Sequence, residues 1–150
     1  MTTFYPLWVG IASPQQAARV VANLKLFELP GGLQTSTNAS GSQWDAPFGW
    51  APMQMIAVEG LRRYGYNAEA DRITTNFLSL ILKEFAQHNT IVEKYDVARR
   101  ESEVAGGIKF GYDYNVIGFG WTNAAFVELY AKLAVAKRSD VLELEGLKGP

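Results

Sequence analysis

Two helical periods with almost nothing between them dominate this sequence. Ala51 to Tyr64 reads as one helix, Gly65 stops it, and Asn67 opens the next. Helices joined by so short a turn run antiparallel as a hairpin. The long segment before the first helix and the long segment after the second therefore leave the hairpin at the same end. Trp44-Asp45 and the stretch Glu93 to Asp96 should share one rim. In the first helix, Met53, Met55, Ile56, Ala57, Val58 and Leu61 surround most of the circumference, which predicts a largely buried element. In the second, running from residue 67 to about 86, Ala70, Ile73, Phe77, Ile81 and Phe85 form one stripe thickened by Leu78 and Leu82. Asp71, Lys83 and Glu84 lie off that stripe, so this helix is amphipathic with one exposed face.

The flanks add two more helices. Ser13-Pro14 is a capping hydroxyl followed by proline at the first helical position. Ala17, Val20, Val21, Leu24 and Phe27 then recur at helical spacing until Pro30-Gly31-Gly32 stops the helix near residue 28. Trp121 to Val135 is apolar on most sides. The chain from Lys137 to Pro150 reads as a frayed helix and then a disordered tail, leaving 1–136 as the folded portion. Buried helices alternating with amphipathic ones suggest inner and outer layers, the construction of an α/α barrel, although periodicity equally allows a plain helical bundle. The class is all-α in both cases. The two connections, Leu29 to Trp50 and Gln87 to Gly120, are too long to be idle.

Composition narrows the function classes. Fourteen basic residues against fifteen acidic ones leave a net charge of −1, which offers no phosphate-binding surface and argues against a nucleic-acid partner. No run approaches the roughly 18 apolar residues of a membrane span, and Met1 to Gly10 lacks the pattern of a signal peptide. Without cysteine there is no disulfide or thiolate metal site, and the lone His88, with no second histidine, suits a helix C-terminus better than a metal. No metal site is expected. Four Trp and seven Tyr would suit a sugar, whose C–H faces pack on aromatic rings, although most such rings are core.

The two loops hold the carboxylates Asp45, Glu93, Asp96, Glu101, Glu103 and Asp113. Inverting glycoside hydrolysis needs one carboxylic acid on the leaving oxygen and one carboxylate on water, roughly 6.5–9.5 Å apart. Loops on one helical rim can supply such a pair, but sequence distance does not say which two meet. Glu93 stands between Ile91-Val92 and Lys94-Tyr95-Asp96; its alternative role is an ion pair with Lys94 or a buried Arg. Asp45 has the alternative of turn formation before Pro47. Trp44, Trp50 and Trp121 are either a ligand platform or wedges sealing loops to helices. Asn38-Ala39-Ser40 matches a glycosylation sequon, a match common by chance.

The words Gln43-Trp44-Asp45-Ala46-Pro47-Phe48-Gly49-Trp50-Ala51-Pro52, Val58-Glu59-Gly60-Leu61, Val92-Glu93-Lys94-Tyr95-Asp96-Val97 and Gly118-Phe119-Gly120-Trp121-Thr122-Asn123 follow one another in that order. Together with Phe4-Tyr5-Pro6-Leu7 and Pro30-Gly31-Gly32-Leu33 they resemble the trehalases of glycoside hydrolase family 37, over residues 4 to about 135. The resemblance implies an (α/α)6 barrel and cofactor-free hydrolysis of α,α-trehalose to two glucose molecules with inversion. It puts the general base on Glu93 and site-lining, substrate-binding roles on Gln43, Trp44, Asp45 and Trp50.

Two departures accompany it. The family's general acid, an Asp, and its substrate-binding arginines lie upstream of the Phe-Tyr-Pro-Leu segment, so the chain is expected to be the C-terminal, base-bearing part of a catalytic domain. The family also has a Gly-rich run ending in Gly-Glu-Tyr whose Glu binds substrate. Here the run is Gly106-Gly107-Ile108-Lys109-Phe110-Gly111-Tyr112-Asp113, which places Tyr112 where the Glu is expected. Asp113 is carried as its substitute. Three functions follow as alternatives: a trehalase, a related (α/α)6 glucosidase for another α-glucoside, and a non-catalytic sugar-binding fragment lacking the acid. Four helices cannot close a twelve-helix barrel, so self-association through exposed inner-helix surface is also expected.

Overall fold

In a computed structural model the protein is described at residues 1–106 and 108–143. A 3-10 turn at Thr2–Phe4 runs into one helical turn, α1 (Tyr5–Trp8), followed by α2 (Pro14–Ala22). Ser13 and Gln16 form a capping box at the start of α2: the Ser13 hydroxyl accepts from Gln16 N and the Gln16 side chain accepts from Ser13 N. The helix ends at Ala22, not near residue 28. The Asn23 side-chain amide donates to the Arg19 carbonyl at 2.8 Å, competing there with the Asn23 backbone N–H at 3.3 Å, and the chain tightens into a 3-10 turn at Leu24–Leu26.

Two short strands that helical periodicity does not reveal, β1 (Glu28–Leu29) and β2 (Gly32–Leu33), then form an antiparallel pair. After the 34–47 loop comes β3 (Phe48–Trp50), which leads directly into α3 (Ala51–Arg63). The turn to α4 (Asn67–His88) closes as the sequence requires. Gly65, at φ +82, and Tyr66 send their N–H groups back to the carbonyls of Arg62 and Leu61, both at 3.0 Å. This is the double bond pattern with a left-handed residue that commonly ends helices. Beyond α4 lie β4 (Lys94–Asp96), the 97–119 loop, α5 (Gly120–Lys132) and α6 (Val135–Glu143). Position 137, where a tail was expected, lies inside α6, whose Val141 is buried and which packs on α4. The remainder of that expected tail, 144–150, falls outside the described residues.

The core is built around α3, which packs against α1, α4 and α5, with Leu7, Val58, Leu61, Ile73, Phe77 and Ile81 fully buried. Helix α4 reaches further, to β2 and α6. Glu84, placed on the exposed face by its period, is instead buried: it accepts from the backbone N and hydroxyl of Ser102, and Lys83 pairs with it at 3.0 Å. The 97–119 loop covers that face of α4, a packing decision the helix period cannot anticipate. Helix α5 is buried at Thr122, Ala125 and Leu129 but leaves Val127 exposed. Trp8, Pro52, Met55, Ile56, Trp121 and Ala124 line an adjacent apolar groove. Among the described residues no helix is long and apolar enough to cross a membrane.

Candidate active site

The rim inferred from the hairpin exists, and its two sides are paired strands. β3 and β4 are antiparallel, with Phe48 opposite Asp96, Gly49 opposite Tyr95 and Trp50 opposite Lys94. Gly49 is required by close approach. A Cβ there would sit 2.5 Å from Val97 Cγ1 and 2.9 Å from the Leu33 carbonyl. Below the pair, buried Gln54 imitates a strand neighbour, accepting from Leu33 N at 2.9 Å and donating to Leu33 O at 2.6 Å. The Tyr95 ring meets Phe77 of α4 edge-on, with centroids 6.1 Å apart, and its phenol is pushed up to about 12, chiefly by burial.

Glu93 immediately precedes β4 and is only 2% exposed. Its backbone carbonyl accepts from the Thr122 hydroxyl at 3.3 Å, which ties it to the first turn of α5. Its carboxylate takes hydrogen bonds from two sides. The Tyr112 hydroxyl is 2.5 Å from both Oε1 and Oε2, and Lys94 Nζ is 3.2 Å from Oε2. The ion pair with Lys94 that the sequence offered as an alternative therefore forms. Lys94 is fully buried: it donates to the Tyr114 carbonyl at 2.9 Å and lies 4.1 Å from the Tyr112 ring centroid and 5.4 Å from that of Trp50. Burial pulls the Lys94 ammonium below its ordinary value, and the Glu93 carboxylate opposes that pull. Asn115 braces the strand, exchanging hydrogen bonds with Lys94 N and O and donating also to Ser102 O.

The tryptophans have distinct places. Trp50, 1% exposed, is an internal member: its Nε1 donates to the Gln43 carbonyl at 2.8 Å, and Trp121 meets it edge-on at 5.8 Å. Trp44 stacks flat on it at 3.7 Å and 9°, remaining 41% exposed. Trp44 is thus the ring open to solvent, with Trp50 as its support. Gln43 lies against Gly111, where a Cβ would come within 2.6 Å of its Cδ, and its buried Oε1 accepts no hydrogen bond among the described residues. Asp45 is occupied by its own loop. Ser36 donates to Oδ1 at 2.8 Å, while Asn38 and Ser40 donate to Oδ2. The Ser40 and Ser36 hydroxyls hold its carboxyl below the ordinary 3.8.

Asp113 does not join this group. It lines a separate open cleft of about 660 Å³ with His88, Thr90, Val92, Ser102 and Asn115, to which none of Gln43, Trp44, Asp45, Trp50 or Glu93 contributes. His88 sits in the last turn of α4, 3.6 Å from Glu84. Asp96 serves the backbone, accepting from Ala98 N and Arg99 N at 2.9 Å each. Sequence reasoning missed Tyr112 as the partner of Glu93. Counting back from Gly118 singled the position out, but nothing in the local pattern says that its side chain reaches a residue 19 positions earlier. Among the described residues no group of three or more His, Asp or Glu side chains is arranged for a metal ion.

The sequence matches the family profile described as trehalase over residues 1–134. The chain belongs to the trehalase family. It is 41% identical to a cytosolic neutral trehalase of Neurospora crassa, covering 84% of this chain and 19% of that protein. It is likewise 41% identical to a periplasmic trehalase of Pseudomonas aeruginosa, covering 85% of this chain and 23% of that one. Its structure is similar to that of neutral trehalase Nth1 from Saccharomyces cerevisiae, with a TM-score of 0.73 and 36% identity over 92% of this chain and 24% of that one. The all-α arrangement is accordingly part of an (α/α)6 barrel, not a free-standing bundle. The chain spans about a fifth to a quarter of the length of these trehalase-family proteins.

Proposed function

We propose that this chain contributes the base-bearing part of a trehalase active site, in which Glu93 deprotonates the water that attacks α,α-trehalose with inversion. The observation that carries the reading is a juxtaposition within a trehalase-family chain. Glu93 leads into the strand paired with Trp50, and Trp50 supports the exposed ring of Trp44 beside Gln43. A stacking ring on the rim that also carries a carboxylate suits a pyranose, and the buried Gln43 Oε1 has capacity to accept a hydrogen bond once exposed to a sugar hydroxyl. The second carboxyl group, which protonates the leaving oxygen, is supplied from outside these residues. Asp45 shapes the rim through its loop, and Asp113 is the weakest member of the proposed substrate-binding set because its cleft is separate.

One observation favours the non-catalytic, sugar-binding alternative: the Glu93 carboxylate is already held by Lys94 and Tyr112. Calorimetric titration of the chain with trehalose, beside a glucose-release assay on the same sample, addresses the isolated chain; binding without release is expected. Catalysis is tested in a chimaera in which residues 4–135 replace the matching segment of the Pseudomonas aeruginosa trehalase. Trehalose turnover that vanishes with Glu93→Gln is the expected result, and turnover unaffected by that change would end the proposal. Comparing trehalose with maltose, nigerose and kojibiose on the same chimaera separates a trehalase from a glucosidase of other preference. The apolar groove beside α5 is covered once a barrel is complete. Left bare, it drives self-association of the isolated chain, which sedimentation velocity would register.

A further inference from the structure

A general base works only if an oxygen comes within about 2.6–3.2 Å of the water it deprotonates. At Glu93 that place is taken. The Tyr112 hydroxyl lies 2.5 Å from both carboxylate oxygens and places its one proton where an attacking water would place one of its own. The same ring covers the buried Lys94 ammonium at 4.1 Å, so one side chain closes off both charges.

Tyr112 itself is held by its side chain, on Glu93, Lys94 and the Tyr114 ring. It is only partly buried, and its neighbours Gly111, Asp113 and Tyr114 are exposed. The preceding residues are fastened to the 41–43 segment, with Lys109 N and Phe110 N donating to Gly41 O and Gln43 N donating to Phe110 O. Fastening resumes at Tyr114 and Asn115, which bond Lys94, so Tyr112 and Asp113 bridge the two after Gly111, whose φ of +108 belongs to glycine's wide conformational range. A buried carboxylate at the start of β4 is thus covered by a side chain that follows a glycine pivot.

We infer that Tyr112 is a gate on Glu93: its hydroxyl fills the seat of the attacking water and must swing off the carboxylate before Glu93 can accept a proton. The inference rests on Glu93 being the base. The phenol is pushed up to about 12, first by burial and then by its bond to Glu93, so it remains an O–H donor throughout the range in which a glycosidase works. Tyr112 acts through Glu93 and is a positioning residue. A purely structural clamp and a gate make opposite predictions. Loss of a clamp weakens ligand binding, whereas loss of a gate's hydroxyl populates the open state and tightens it.

The test uses the 150-residue chain and two readouts. Carboxyl groups are labelled with a water-soluble carbodiimide and glycine ethyl ester, and Glu93 is quantified by peptide mass spectrometry against buried Glu84 as internal reference. Tyr112→Ala should speed labelling of Glu93 by roughly ten-fold or more, and Tyr112→Phe by less, with Glu84 unchanged. In calorimetry Tyr112→Phe should bind trehalose about ten-fold more tightly than the parent. Equal Glu93 labelling in all three proteins, or a rise matched at Glu84, would overturn the gate, as would weaker trehalose binding by Tyr112→Phe. Trehalose heat absent from every form, with the labelling difference intact, would uphold the gate and count instead against trehalose as the ligand.

Discussion

Asp45 and Glu93 lie on loops of one rim and are both fully engaged, but by partners of different kinds. Asp45 takes its hydrogen bonds from Ser36, Asn38 and Ser40, all within nine positions of it and on the same loop. Glu93 takes its bonds from Tyr112, 19 positions away, and from Lys94, whose ammonium the rings of Trp50 and Tyr112 shelter. The first network is local, exposed and organises backbone. The second is buried, assembled by tertiary packing, and can change when one side chain moves. The comparison teaches that a carboxylate's chemistry is set by where its partners come from as much as by how many it has.

The sharpest way to break that distinction is kinetic. In the chimaera, Glu93→Gln should lower glucose release by about 10²–10⁴-fold, the usual contribution of a general base. Asp45→Asn keeps the acceptor for Ser36 but puts an N–H donor where Oδ2 accepts from Asn38 and Ser40, and should cost about ten-fold, one to two hydrogen bonds' worth. Comparable losses at both positions would abolish the contrast.

A second measurement asks what supports each site. Phe77 lies beneath β4, fully buried and edge-on to Tyr95, so Phe77→Ala should destabilise the fold by about 3–5 kcal/mol in urea unfolding. Trp44 is exposed on the rim, and Trp44→Ala should cost only about 1 kcal/mol, the worth of its stack on Trp50.

Two titrations refine the comparison with smaller effects. Glu93→Gln should lower the Tyr112 phenol from about 12 by part of its rise, because burial is the first cause and the bond and charge of Glu93 add to it. The Tyr95 phenol should stay near 12, since burial holds it there. Absorbance near 295 nm would register one phenol moving and one staying. For Asp45 the sign runs the other way. Its carboxyl is depressed in the fold, so it supports the loop above 3.8 and loses that support as pH falls through the lower folded value. Tryptophan fluorescence, reporting the Trp44–Trp50 stack, should hold steady down to pH 3.8 and change only in stronger acid. Asp45→Asn should remove that acid step.

Much of this architecture was legible where the responsible interactions are close in sequence. The α3–α4 hairpin followed from two helical periods and Gly65, and the shared rim followed from the hairpin. The Asp45 side chain bonds Ser36, Asn38 and Ser40 upstream of it, whereas the sequence offered a turn before Pro47 as its alternative role. Legibility failed at three kinds of place. Asn23 ended α2 early through one side-chain bond that periodicity cannot see. Glu84 became buried because a distant loop folded over it. Trp50 and Trp44, similar on paper, separated into a buried support and an exposed platform only when β3 met β4.

The sequence alone therefore determined the helices, the hairpin, the family and the rim on which the chemistry would stand, because period, turn and motif are short-range properties written in neighbouring residues. The tertiary structure decided the contacts of Glu93. Whether that carboxylate meets water, Lys94 or the Tyr112 hydroxyl depends on side chains from β4 and from the loop before α5 arriving at one point. Such a meeting is held by packing and burial, and no local pattern encodes it.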